Sequence, residues 1–229
     1  MGVRQRATAG ARRRRGPGQR AGLVSETVLR EARTLSRNEG IEHLTMRRLA
    51  ERLGVAPNAL YSHFADKAAL LDALMDSLLV DVEVPDITRV DWREGLLELM
   101  RSTRRFLLAN ADLIQLFLAR PRRGPNAIRL GEATLTLLAH AGLEGEEAVH
   151  ALRILLIYTF GFAAQEGPRL ADPEREERTS RNEAAFEAAR EYPRMRKLAK
   201  SLSEHPGDDT FERGLHWLLD GIRAMARHA

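Results

Sequence analysis

From about residue 22 onward, apolar side chains recur at intervals of three and four residues, the spacing that gathers them on one face of an α-helix. Ala, Leu, Glu and Arg dominate, Val and Ile are sparse, and no period-two alternation marks a strand. The pattern predicts helices over about 22–39, 45–53, 57–64, 67–83, 91–109, 111–119, 125–141, 145–166, 181–203 and 208–227. VPDITRVDW (84–92) contains a proline and reads as a connector. EGPRLADPEREERTSR (166–181) is polar with two prolines and is predicted to be a mobile loop. The fold class is all-α: a small helical unit to about residue 83, then a larger one.

The densest local signals lie in LTMRRLAERLGVAPNALYSHFADKAAL (44–70). Thr45 suits an N-cap, and Leu44 and Leu49 suit the hydrophobic staple around it. Gly54 supplies a positive-φ stop, and Pro57 fits the first turn of the next helix. Two short helices separated by a tight glycine turn make a helix-turn-helix. On the second helix, at about 100° per residue, Leu60 and Phe64 share the buried face and Asn58 and Ser62 lie nearly opposite. Ala59 sits beside them, and Tyr61 and His63 fall on the flanks. This surface suits a major groove: Asn58, Ser62 and Ala59 meet base edges, Tyr61 and His63 meet phosphates. Asp66 can cap the following helix, whose first residue, Lys67, joins Arg47 and Arg48 as a candidate phosphate contact.

Charge sharpens this picture. The chain has 36 Lys and Arg against 32 Asp and Glu, net +4, but seven of the arginines and no acid lie in residues 1–20. The rest is therefore slightly acidic, and the basicity is concentrated in an arm expected to be disordered and to favour a polyanion. There is no Cys, and the seven His show no metal-ligand spacing. No nucleophile–base pair or Gly-rich phosphate loop stands out, so neither catalysis nor a metal nor a cofactor is expected. The apolar run ILLIYTFGFAAQ (154–165) is short of the roughly 20 residues a membrane span needs. A cytoplasmic protein without a membrane partner is expected.

EGIEHLTMRRLAERLGVAPNALYSHFADKAALLDALMDSLL resembles the DNA-binding domain of the TetR family of transcriptional repressors, through Leu44–Val55, Leu60–Phe64 and Asp66–Leu71. IYTFGFAAQEGPR (157–169) and FERGLHWLLDGIRA (211–224) are similar to parts of the C-terminal domain of the tetracycline-repressor type. The resemblance implies an all-helical homodimer: an arm at 1–20, a helix-turn-helix domain at 21–83, and an effector-binding and dimerisation domain at 84–229. It implies DNA contacts at Thr45, Arg47, Pro57, Asn58, Ala59, Tyr61, Ser62, His63 and Lys67. Ala56 and Ala59 depart from the Ser or Thr and the Thr common in the family, and no counterpart of a His-based magnesium–tetracycline site is visible. The function implied is a repressor that binds a palindromic double-stranded operator and is released by a small-molecule effector. A ligand-independent or activating regulator is the alternative; a cavity of a few hundred Å³ in the C-terminal domain separates the ligand-responsive reading from the ligand-independent one, while an activator reads DNA with the same chemistry.

The helix at 145–166 is apolar nearly all round and must be buried on several sides. With the last helix it predicts a four-helix interface through Leu152, Leu156, Phe211, Leu215, Trp217, Leu218 and Ile222, although the core of a single protomer has the same signature. Effector contacts are expected at Leu97, Met100, Phe106, Phe117, Leu137, His140, Tyr158, Thr159, Phe162 and Gln165, with His140, Thr159 and Gln165 as polar anchors.

Overall fold

The computed structural model describes residues 25–120, 123–170 and 172–226. The basic arm expected at 1–20 lies outside them. The described residues form twelve α-helices, three 3-10 turns and no strands.

The small unit consists of α1 (Ser25–Glu39), α2 (Met46–Leu53), α3 (Pro57–Tyr61) and the first half of α4 (Lys67–Leu78). Its core joins Val28, Ala32 and Leu35 of α1 to Leu44, Leu49, Ala50, Leu60, Phe64, Leu70 and Leu74. The larger body contains α5 (Trp92–Ala109), α6 (Ile114–Ala119), α7 (Pro125–His140), α8 (Gly145–Leu170) and α12 (Asp208–Met225). Here α5 packs on α7 and α8, α7 packs on α8, and α12 closes against α8. Residues on α4 serve both cores. Leu70, Leu71 and Leu74 point into the small one, while Met75 and Leu78, with Leu79 just beyond, belong to the large one.

Three predicted segments are corrected. The helix expected at 57–64 ends at Tyr61: Ser62 turns its hydroxyl back onto the Ala59 carbonyl at 2.7 Å, and the N–H groups of His63 and Phe64 both reach the Leu60 carbonyl. The loop expected at 166–181 is largely helical. α8 runs through Pro168 to Leu170, and α9 (Arg175–Ala188) follows at once, with Glu176 and Glu177 complementing its N-terminal dipole. The helix expected over 181–203 is broken at Pro193 into the end of α9, α10 (Pro193–Lys197) and α11 (Ala199–Ser203). α9 buries none of its own residues. The 67–83 segment also changes character, passing from α4 into a 3-10 turn at Leu79–Asp81.

Candidate nucleic-acid interface and effector cavity

The recognition segment is held from behind and open in front. Thr45 caps α2 by accepting the Arg48 N–H at 3.2 Å, which leaves its own O–H able to donate outward. Leu44 and Leu49 close the staple, both fully buried. Gly54 takes φ 65 and ends α2 with its N–H on the Ala50 and Glu51 carbonyls. Leu60 and Phe64 bury the back of α3, while Pro57, Asn58, Tyr61, Ser62 and His63 are exposed and Ala59 is half-buried. Tyr61 is 51% exposed. His63 Nδ1 lies 3.1 Å from the Ser25 hydroxyl, which fixes its ring beside α1. Asp66 caps α4 through the Ala69 N–H at 2.7 Å, with half-buried Lys67 in the first turn.

The two arginines differ. Arg47 is well exposed and paired only with Glu51 of its own helix, at 3.1 Å. Arg48 is drawn sideways to Glu39, in an ion-pair cluster that also holds Arg52 between Glu31 and Glu39. Of the two, Arg47 is the more available to a phosphate.

Three polar clamps join α4 to the large body. Arg120, just after α6, donates from Nε to Asp72 at 2.5 Å and from Nη2 to the Ala68 carbonyl at 2.9 Å. Asp76 caps α7, accepting the Ala127 N–H at 2.9 Å and the Asn126 N–H at 3.2 Å. A side chain at Gly124 would collide with Asp76, so glycine is required there for the cap to form. Arg129 donates to the Leu79 and Val82 carbonyls at 3.1 and 3.3 Å.

A cavity of about 520 Å³ lies beneath, between α5, α6, α7 and α8. Its wall includes Leu99, Met100, Thr103, Leu118, Arg120, Leu130, Gly131, Thr134, Leu152, Leu156 and Phe160. A second cavity, of about 600 Å³, lies between α4 and the start of α7.

Most of the expected effector contacts are relocated. Met100 lines the first cavity, and Thr159 stands behind it, buried and donating to the Met100 sulfur at 3.4 Å. Phe117 lines the second cavity and packs edge-on with Phe106. Leu97 and Leu137 are core. His140 and Gln165 are exposed and lie in neither cavity wall, so with Thr159 buried behind Met100 none of the three proposed polar anchors lines either cavity. Tyr158 and Phe162 belong to an aromatic group with Phe211; the Tyr158 hydroxyl donates to the Phe211 carbonyl at 2.9 Å, and burial pushes its pKa above the ordinary 10.0. Leu152 and Leu156, expected at the interface, line the cavity instead. The overlooked wall had a legible sign: Ala127, Gly131 and Thr134 are small residues on one face of α7, which hollows it.

The apolar face left open is only partly the expected one, since of the residues proposed for it Trp217 and Leu218 remain accessible. Phe211 and Leu215 are fully buried and Ile222 nearly so, all within the protomer core. Along α8, His150, Ile154, Ile157, Gly161 and Gln165 are exposed, spaced four, three, four and four residues apart and therefore on one stripe, with exposed Arg153 beside it. α12 exposes Trp217, Gly221 and Met225, with Leu218 half-buried. Ile157 is 73% and Trp217 72% exposed. Gly161 and Gly221 have open space where a side chain would stand, whereas Gly214 is filled by Tyr158. By length and composition Gly145–Pro168 could cross a membrane, with 33% of its apolar window buried in the protomer.

Beneath this face Arg104, on α5, makes a two-pronged pair with Glu166 of α8 at 2.8 and 2.7 Å and reaches Asp208 at the start of α12 at 2.7 Å. Its guanidinium lies 4.7 Å from the Phe211 ring centre. Burial disfavours its charge, but the hydrogen bonds it donates to Glu166 and Asp208 prevail and hold its pKa above the ordinary arginine value. No cluster of His, Asp and Glu among the described residues could hold a metal ion.

Comparison with known proteins agrees with this geometry. Residues 28–74 match the model of the bacterial regulatory proteins of the tetR family, and residues 84–226 match that of the tetracyclin repressor-like C-terminal domain. The chain is 36% identical over 202 residues to the tetracycline repressor protein class A from transposon 1721 of Escherichia coli, covering 87% of this chain and 90% of that protein. Among solved structures it is similar to ActR of Streptomyces coelicolor in complex with actinorhodin, at TM-score 0.82 and 30% identity, covering 90% of this chain and 99% of ActR. It is also similar to BioQ bound to its double-stranded DNA operator, at TM-score 0.61 and 26% identity, covering 88% and 99%.

Proposed function

The chain belongs to the tetR family of bacterial regulatory proteins, and from that premise we propose that it is a ligand-responsive repressor that grips a palindromic operator as a homodimer in the cytoplasm. The observation that carries this reading is the open face of α3, where Asn58, Tyr61 and Ser62 stand outward on a segment braced by Leu60 and Phe64. Asn58 and Ser62, with the Ala59 methyl, read base edges. Thr45, Arg47, Tyr61, His63 and Lys67 hold phosphates, and Pro57 sets the entry angle of the helix. Residues 21–83 make up the reading unit and 84–229 the effector and dimer unit.

Ile154, Ile157 and Gly161 of α8 meet Trp217, Gly221 and Met225 of α12 across a two-fold axis. A second copy thereby covers the apolar surface that a lone protomer leaves in water. Two reading helices then stand about 34–36 Å apart and enter successive major grooves. An effector that prefers a different spacing weakens operator binding by its differential affinity for the two states; a coupling of about 3 kcal/mol corresponds to roughly 150-fold. The cavity favours this reading over a ligand-independent binder, and ActR in complex with actinorhodin is a precedent for a bound small molecule.

The test is selection of bound sequences from a random duplex pool with the purified protein. The expected result is a palindrome with half-sites one helical turn apart. No enrichment at modest ionic strength overturns the reading.

A further inference from the structure

Arg120 belongs to two structures at once. Among the described residues it is the only charged side chain in the wall of the 520 Å³ cavity, and it is the clamp on the first turns of α4. The other polar side chains of that wall are Thr103 and Thr134, whose hydroxyls donate to the Leu99 and Leu130 carbonyls of their own helices at 2.8 Å. Each hydroxyl has one proton and has committed it, so both threonines can only accept from a ligand. Among the described residues, Arg120 is therefore the side chain in this wall with N–H groups to offer. Its links to Asp72 and Ala68 use two of its five, and the fork suits a carboxylate or sulfonate better than any neutral group.

The existing partner can be displaced. The Asp72 side chain is nearly half exposed, and a pair open to water on one side is weak. An acid held in the cavity meets the same guanidinium in drier surroundings, where the attraction is stronger. The Asp76 cap and the Arg129 contacts hold the rear of α4, and Arg120 alone of the three clamps holds its front. α3 lies just ahead of that front turn.

We propose that the effector is an apolar molecule bearing one acidic group, and that Arg120 reads the group by exchanging Asp72 for it. The exchange frees the front of α4 while its rear stays pinned, so the recognition helix swings about the Asp76 and Arg129 contacts. This inference rests on the ligand-responsive reading above.

Two dyes test it on the full chain: 1-anilinonaphthalene-8-sulfonate, and N-phenyl-1-naphthylamine, the same skeleton without the acid. Arg120→Met is expected to weaken the sulfonate at least tenfold and to leave the neutral dye within twofold, which also shows that the variant is folded. Asp72→Asn is expected to tighten the sulfonate severalfold, because its competitor is gone; a merely structural Asp72 would not do so. Gly131→Leu grows into the open space beside that glycine and is expected to exclude both dyes. Unchanged sulfonate binding in Arg120→Met, a parallel loss of both dyes, or sulfonate retained by Gly131→Leu would each overturn the proposal. Operator binding is measured separately. A protein with the Arg120-dependent dye site but no selected DNA fails as a repressor and keeps the acid site; the converse result spares the repressor and removes the acid site.

Discussion

Ala56 sits in the extended conformation of an N-cap, φ −69 and ψ 143, and makes no capping hydrogen bond to α3. A hydroxyl there would reach a vacant N–H in the first turn. Ala56→Ser should stabilise the chain by about 1 kcal/mol, read as a higher denaturant midpoint at constant slope. Neighbouring positions were legible in the sequence because their signals are local: Thr45 and Asp66 as caps, Gly54 as a left-handed stop, Leu60 and Phe64 as the buried pair. The early end of α3 was not legible. SHFAD carries no glycine or proline to announce a stop, and the helix ends through the turn-back of Ser62 onto Ala59. Arg48 shows a further limit, since two adjacent arginines look alike until Glu39 on another helix claims one of them.

At the scale of elements, α5, α8 and α12 are joined by charge as well as by packing. Arg104→Met leaves Glu166 largely buried without its partner and should cost about 3–5 kcal/mol, whereas Arg104→Met with Glu166→Met should recover most of it. Comparing the two in thermal melts separates the penalty of an orphaned charge from the worth of the pair. Arg101 makes a second such link, to Glu212 of α12, at 2.8 Å on both prongs. The Arg101 hydrogen bond lowers the Glu212 pKa below 4.5, against the opposing pull of burial. The folded value lies below the unfolded one, so this stabilisation is present above about pH 4.5 and fades as the pH falls through the folded value. Glu212→Gln should therefore show a shallower loss of stability on acidification than the parent. Helix existence was well marked at this scale, but continuity was not. Pro168 argued for a break in α8, yet the helix continues, with Gly167 packed against Ala111 and Ile114. Pro193, inside a long helical pattern, instead opens a new segment: α9 has ended at Ala188, and the proline takes the first position of α10.

At the scale of the molecule, the apolar composition of α8 called for burial on several sides without showing which side faces where. That Ile154 and Ile157 face outward could not be read from α8, because a helix apolar nearly all round gives no face to choose between. Ile157→Glu should leave the protomer folded and convert dimer to monomer in sedimentation, with operator affinity falling in step. The cavity escaped notice for a related reason: a hollow is recorded by small residues that fail to fill space, and a search for polar anchors passes over Ala127 and Gly131.

The double membership of α4 bears on how relatives can be recombined. A chimera that joins this head to another family member's body at residue 83 keeps Asp72 and Asp76 but discards Arg120, Gly124 and Arg129, the residues that answer them. It also presents Met75, Leu78 and Leu79 to a surface of foreign shape. Successful grafts should be those that transplant the start of α7 together with α4, so that the practical seam between modules lies along a set of matched contacts and not at a point in the chain.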